Sequence, residues 1–228
     1  MKKGVRNIWQ KVPLELLVTA VVFLLSMFIF SLIVHEAVYE REDLFDKKAI
    51  LFFSAHATPS FIYTMKRVTF FGSTTFLFPA YIILIAWYIS KKKSQQALDI
   101  AVIAISSTTM MFALKEFFHR QRPALPIIKG ITGYSFPSGH SLSSFIFCSI
   151  LIHLVWRETW PVVIKYLLTI LLLLVALSIG LSRIVLNVHY ATDVIGGLCL
   201  GIAWVILSFW LIKKIRKNDN GSSTKPVS

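Results

Sequence analysis

Apolar and polar positions in this chain do not alternate at short range; they separate into long uncharged runs divided by brief polar stretches. A helix needs about 20 mostly apolar residues to cross the hydrocarbon core of a bilayer. Six runs meet that length, and they predict spans at Leu14–Val34, Val68–Ile89, Ala97–Phe118, Ser138–Trp156, Val162–Leu181 and Thr192–Ile212. The expected fold class is therefore all-α, an integral membrane bundle of six transmembrane helices. The first run could instead be a signal peptide. It exceeds the usual 7–15-residue apolar core, however, and no small-x-small cleavage site follows it.

The stretch from His35 to Arg67 is long for a connection within a bundle. Its apolar pieces, Ala49–Phe53 and Phe61–Met65, predict either helices lying in the membrane interface or a packed re-entrant loop. No linker divides the chain, so residues 1–216 are expected to form one domain. The polar stretch from Lys217 to Ser228 reads as a disordered tail.

Composition agrees with the pattern: 56% of residues are hydrophobic and 15% charged, where soluble domains run near a quarter charged. The formal charge of +13 would suit a nucleic-acid binder. Such a protein does not carry long uncharged runs between its basic clusters, and no nucleic-acid partner is expected. Cys148 and Cys199 lie inside apolar runs without metal-ligand spacing and read as small hydrophobes.

The basic residues instead report sidedness. Fourteen of the 24 lysines and arginines fall on one side of a six-span chain: Lys2, Lys3, Arg6 and Lys11; Lys91, Lys92 and Lys93; Arg157 and Lys165; and Lys213, Lys214, Arg216, Lys217 and Lys225. Glu36, Glu40, Glu42, Asp43 and Asp46 fall on the other. Both termini are expected in the cytoplasm of a cell-membrane protein. Trp87, Tyr88, Trp156 and Trp160 are placed to anchor at the inner boundary.

Charged side chains inside spanning segments are costly and mark function by default. Here they gather at the outer ends of spans three to six, in three groups. In the first, Lys115 and Arg122 are seven apart, so a continuing helix would carry them on one stripe, with Pro123 ending it. Such a pair suits an anionic oxygen cluster, or is simply a snorkelling helix end. In the second, Pro137-Ser138-Gly139-His140 opens a span. A helix start leaves the Ser138, Gly139 and His140 amides free for an anion, with His140 placed to share a proton. In the third, Arg183 precedes His189 and Asp193, which are four apart and would share a helical face if the last span starts by His189. A carboxylate on one ring nitrogen fixes the tautomer and frees the other nitrogen as a nucleophile. The alternatives for that pair are a structural contact or a metal ligand. The latter has little support from two histidines and one aspartate.

Together these residues resemble the type 2 phosphatidic acid phosphatase family, whose signature is K-x6-R-P, P-S-G-H and S-R-x5-H-x3-D. The chain matches all three, at Lys115–Pro123, Pro137–His140 and Ser182–Asp193. The resemblance implies a phosphatase that needs no metal or other cofactor and works through a phosphohistidine. His189 would be the nucleophile, Asp193 its orienting carboxylate and His140 the general acid. Lys115, Arg122, Ser138, Gly139 and Arg183 would hold the phosphoryl oxygens.

A site at an outer membrane boundary points to a lipid phosphate. The small bacterial six-span members of the family act on phosphatidylglycerophosphate, undecaprenyl pyrophosphate, phosphatidic acid or diacylglycerol pyrophosphate. Phosphatidylglycerophosphate is the first expectation here, with undecaprenyl pyrophosphate the alternative. A lipid or ion transporter would spread its charges through the membrane depth and break helices near the midplane. This chain does neither. A binder without turnover would not need His140, His189 and Asp193 together.

Overall fold

Without water to bond backbone N–H and C=O groups, an apolar run must bond to itself, and among the described residues every regular element is helical. A computed structural model describes residues 13–40 and 44–222, with side chains as far as Lys217. The helices are α1 (Leu14–Ile33, widening into a π-helix over Val34–Tyr39), α2 (Leu44–His56), α3 (Pro59–Phe70), α4 (Thr74–Ser90), α5 (Ser94–Phe118), α6 (Gly139–Arg157), α7 (Val162–Val185) and α8 (Ala191–Ser222). Among the described residues, six stretches are long and apolar enough to cross a membrane, α3 and α4 together making the second. Lys2, Lys3, Arg6, Lys11, Glu42, Asp43 and Lys225, used above to judge sidedness, lie outside the described residues.

The centre of the bundle is α6, which packs on α7 and α8, while α1 closes against α8 and α4 against α5. Its inward residues Leu142, Ile146 and Ile150 are buried, as are Phe136 before it and Ile179 of α7. Gly197 lets α8 come close to the start of α6, since a Cβ there would stand 2.7 Å from the carbonyl oxygen of Ser138. The opposite faces are apolar and bare. Leu167, Ile170, Leu171 and Leu174 run down one side of α7 in the open, as expected of side chains that meet lipid rather than water.

Several boundaries differ from expectation. The second span is not one helix from Val68. The chain turns at residues 71–73 between α3 and α4, where Ser73 caps α4 by accepting from the Phe76 amide at 3.3 Å. α7 runs on to Val185 and so includes Arg183 in its last turn. α8 continues to Ser222 rather than ending by residue 216, because no proline interrupts it before Pro226; residues 223–228 lie outside the described residues. Of the four aromatic anchors, Tyr88 turns into the bundle and is buried, whereas Trp87, Trp156 and Trp160 stay exposed. Residues 44–70, where an interfacial segment or a packed loop was expected, form α2 and α3. Both pack against α7, and α2 also meets α8.

Candidate active site

The start of α6 has the built-in polarity expected of a helix N-terminus. Ser138 is its N-cap: the hydroxyl accepts from the Ser141 amide at 3.5 Å and from the Ser141 hydroxyl at 3.0 Å. The Ser138 amide is not free, as expected above, but donates to the Asp193 carbonyl at 3.0 Å. Ser138 is fully buried, so its place is to fix the helix start against α8. Gly139 and His140 follow and face an open cavity.

Lys115 and Arg122 do converge, but by a different route from the one the spacing suggested. α5 ends at Phe118, and His119 takes a left-handed conformation (φ 50°), so no helix carries the pair on one stripe. Arg122 is instead held by the loop. Its Nε donates to the Gly133 carbonyl at 2.9 Å and its Nη1 to the Val188 carbonyl at 2.9 Å. Lys115 Nζ donates to the Tyr134 carbonyl at 2.6 Å. The 119–138 loop thereby ties both cations to one spot.

Arg183 projects from the last turn of α7 and is 3% exposed. Its Nη1 donates to Thr69 Oγ1 of α3 at 2.6 Å, while its Nε is buried without a hydrogen-bond partner. A buried donor left unpaired costs about 1–3 kcal/mol. A ligand oxygen supplied from the cavity would remove that cost.

His189 lies just before α8, outside the helix, yet still meets Asp193. Its Nδ1 is 3.3 Å from Asp193 Oδ2, and its Nε2 is 3.1 Å from Arg122 Nη1. An arginine can only donate, so Nε2 is the accepting nitrogen and Nδ1 carries the proton. That is the tautomer a nucleophilic Nε2 requires. Burial, outweighing Asp193 and reinforced by Arg122 and Lys115, lowers the His189 pKa to about 4. The ring is therefore neutral near pH 7.

Asp193, fully buried, also accepts the Tyr190 amide at 2.8 Å in capping-box fashion and a short bond from the Ser135 hydroxyl. Its other oxygen accepts Arg120 Nη1 at 2.6 Å. Ser135, Arg120, Thr69 and Asp46, which Arg120 also binds, were not singled out from the sequence. Arg120 lies inside the first motif, between Lys115 and Arg122.

Lys115, Arg122, Gly139, His140, Arg183 and His189 line one cavity of about 740 Å³. They occupy one end. From there the cavity continues between α4 and α5 past Leu77, Tyr81, Ile85, Ala101, Ala104 and Met111. From Lys115 to Ala101 is fourteen residues, about 21 Å along the helix. Asp193 and Ser138 do not reach it. Among the described residues, no three His, Cys, Asp or Glu side chains gather into a group able to hold a metal ion.

Residues 96–217 match the PAP2 superfamily model. The chain is 28% identical over 195 residues to phosphatidylglycerophosphatase B of Bacillus subtilis (strain 168), covering 82% of this chain and 92% of that protein. It is 36% identical over 118 residues to the lipid A 1-phosphatase of Porphyromonas gingivalis, which spans 51% of this chain and 24% of that one. Among solved structures, it resembles a transmembrane PAP2 type phosphatidylglycerolphosphate phosphatase from Bacillus subtilis. The TM-score is 0.71 at 27% identity, over 86% of this chain and 96% of that one. Aquifex aeolicus LpxE follows, with a TM-score of 0.56 at 25% identity over 72% of this chain and 93% of that one.

Proposed function

Since the chain belongs to the PAP2 superfamily and is one of its multi-pass membrane lipid phosphatases, we propose that it hydrolyses a lipid phosphate through a phosphohistidine on His189. The observation that carries this reading is the cavity itself: a cationic, histidine-bearing end continuous with an apolar groove between α4 and α5. A lipid can place its phosphate at the first and an acyl chain in the second.

In the proposed reaction, Lys115, Arg122 and Arg183 hold the non-bridging oxygens, and the Gly139 amide adds the pole of α6. His189 Nε2 attacks phosphorus, and the bond from phosphorus to the lipid oxygen breaks. His140, protonated in the complex with the phosphate dianion, gives its proton to that oxygen. Water then attacks phosphorus, the phosphorus–Nε2 bond breaks and returns its electron pair to His189, His140 takes the water's proton, and inorganic phosphate leaves. Asp193 keeps the Nδ1 proton in place and balances the charge that the imidazole ring gains. Every group this sequence needs is a side chain or amide of the chain itself, and we propose that no metal takes part.

Phosphatidylglycerophosphate is the proposed substrate, in keeping with the activity named for the Bacillus subtilis relative; undecaprenyl pyrophosphate is the alternative. We place the enzyme in the cell membrane, with its active site on the outer face and both termini in the cytoplasm. The support is the cluster of Lys91–Lys93, Arg157, Lys165 and Lys213–Arg216 at the end of the bundle away from the site. The test is phosphate release in detergent from phosphatidylglycerophosphate, undecaprenyl pyrophosphate, phosphatidic acid and diacylglycerol pyrophosphate, each with EDTA present. Wild type should turn over with EDTA, fastest on the first, and His189→Ala should be inactive on all four. Activity retained by His189→Ala removes the nucleophile assignment, and loss with EDTA removes the metal-free reaction.

A further inference from the structure

Behind the histidine–aspartate pair lies a second layer of charge that never meets the cavity. Asp46, in the first turn of α2, is fully buried. Its Oδ1 accepts the Thr192 amide at 2.9 Å, and its Oδ2 accepts the Thr192 hydroxyl at 2.6 Å and Arg120 Nη2 at 2.8 Å. Arg120 Nη1 reaches Asp193 Oδ1 at 2.6 Å and Thr192 Oγ1 at 2.7 Å. The guanidinium also lies 4.4 Å over the Tyr190 ring. One arginine is therefore shared between two buried carboxylates, and α2 reaches across to cap the first turn of α8.

We propose that Asp46 is a positioning residue for the hydrolysis, acting through Arg120 and Thr192 on Asp193 and so on His189. This rests on the reading of His189 as nucleophile. The physical reason is competition for one carboxylate. Asp193 offers Oδ1 to Arg120 and Oδ2 to His189, Tyr190 and Ser135. While Asp46 takes part of the Arg120 charge, Asp193 keeps enough electron density to support the charge His189 gains on attack. With Asp46 neutral, the whole guanidinium charge falls on Asp193 and draws it off the histidine. The Thr192 amide, at the positive pole of α8, loses its counter-charge at the same moment. Asp46, Arg120, Thr192 and Asp193 all lie outside the cavity lining, so the effect belongs to the chemical step and not to substrate binding.

At metal sites, side chains that orient a ligand histidine from one layer further out set activity by about 10–100-fold, and the same scale is expected for this layer. Asp46→Asn in the full-length protein in detergent should lower kcat by that factor while KM moves less than about twofold. Asp46→Glu, which restores the charge, should recover most of the loss. Asp46→Asn combined with Arg120→Gln should be no slower than the slower single variant, because the unbalanced guanidinium is gone with its partner. A stapling role for α2 predicts the opposite pattern: losses that add, a lower melting temperature, and no rescue specific to charge.

If Asp46→Asn fails to fold, Thr192→Val removes only the shared hydroxyl and should show the same kcat-limited loss at smaller size. Wild-type rates from Asp46→Asn, or a loss carried by KM, overturn the proposal. It is overturned alone when wild type hydrolyses the lipid and His189→Ala does not. If His189→Ala hydrolyses, the functional reading itself has failed.

Discussion

Replacing Asp193 by asparagine changes a single atom, and the structure dictates how the amide must turn. The carboxylate meets a charged donor, Arg120 Nη1, on Oδ1, and the His189 Nδ1–H, the Tyr190 amide and the Ser135 hydroxyl on Oδ2. An asparagine has one accepting oxygen for these two sides. The bond to the charged guanidinium is about twice as strong as a neutral one, so the oxygen goes to Arg120 and the amide N–H2 turns toward His189. Neither ring nitrogen then keeps a partner that fits, because the amide donates toward Nδ1 and Arg122 Nη1 donates toward Nε2. A ring proton on Nε2 displaces Arg122 and blocks the nitrogen that should attack phosphorus. The wrong tautomer in a serine protease triad costs about 10⁴ in kcat, equivalent to about 5.5 kcal/mol of barrier. We expect a loss of that order here, with KM nearly unchanged because Asp193 does not line the cavity. The assay is inorganic phosphate release from micellar lipid across a substrate series, with melting temperature as the control for folding. A kcat within about fivefold of wild type, in a folded protein, refutes the tautomer argument.

Arg183→Ala should lower kcat by about 10²–10³, the usual cost of one donor aimed at transferring oxygens. Thr69→Val, which loses only the hydroxyl that steadies Arg183 Nη1, should cost less, and phosphate release by Arg183→Ala within tenfold of wild type would contradict this. The pH dependence of stability has a definite sign: His189 titrates near 4 when folded and near 6.5 when unfolded. Its contribution is complete above pH 6.5 and is lost as pH falls toward 4, amounting to about 3 kcal/mol. In melts of the detergent-solubilised protein, His189→Asn should flatten that part of the slope; an unchanged slope counts against the assigned burial.

The sequence was legible where a signal is local. Six apolar runs, and three short motifs with fixed internal spacing, named the spans and the cavity-facing residues Lys115, Arg122, Gly139, His140, Arg183 and His189 without reference to a fold. It was misleading where spacing stood in for geometry. Seven residues of separation suggested a continuous helix for Lys115 and Arg122, but the left-handed His119 ends it and a loop does the positioning. Gly72 left no trace as a packing residue, although a Cβ there would sit 2.4 Å from Ile179 and 3.1 Å from the His140 ring. Asp46 was one acid among several on its side of the membrane. Its partner Thr192 is 146 residues away, and no periodicity or motif links two positions that meet only through the packing of α2 on α8.

The shared Arg120 has one more consequence, seen by treating the site as a host for charge. At and behind the phosphoryl position stand Lys115, Arg120, Arg122, Arg183 and the protonated His140 of the proposed reaction, against three carboxylates, Asp46, Asp193 and the cavity-lining Glu116. These side chains together carry two positive charges in excess. A terminal phosphate monoester carries about that much near pH 7, whereas a phosphodiester carries one. The bilayer around the enzyme is built mostly of phosphodiesters, present in vast excess and able to enter the same groove. Only the monoester brings the host to neutrality. Discrimination between substrate and solvent lipid can therefore reside in charge stoichiometry, before any feature of the alcohol beyond the phosphate is read.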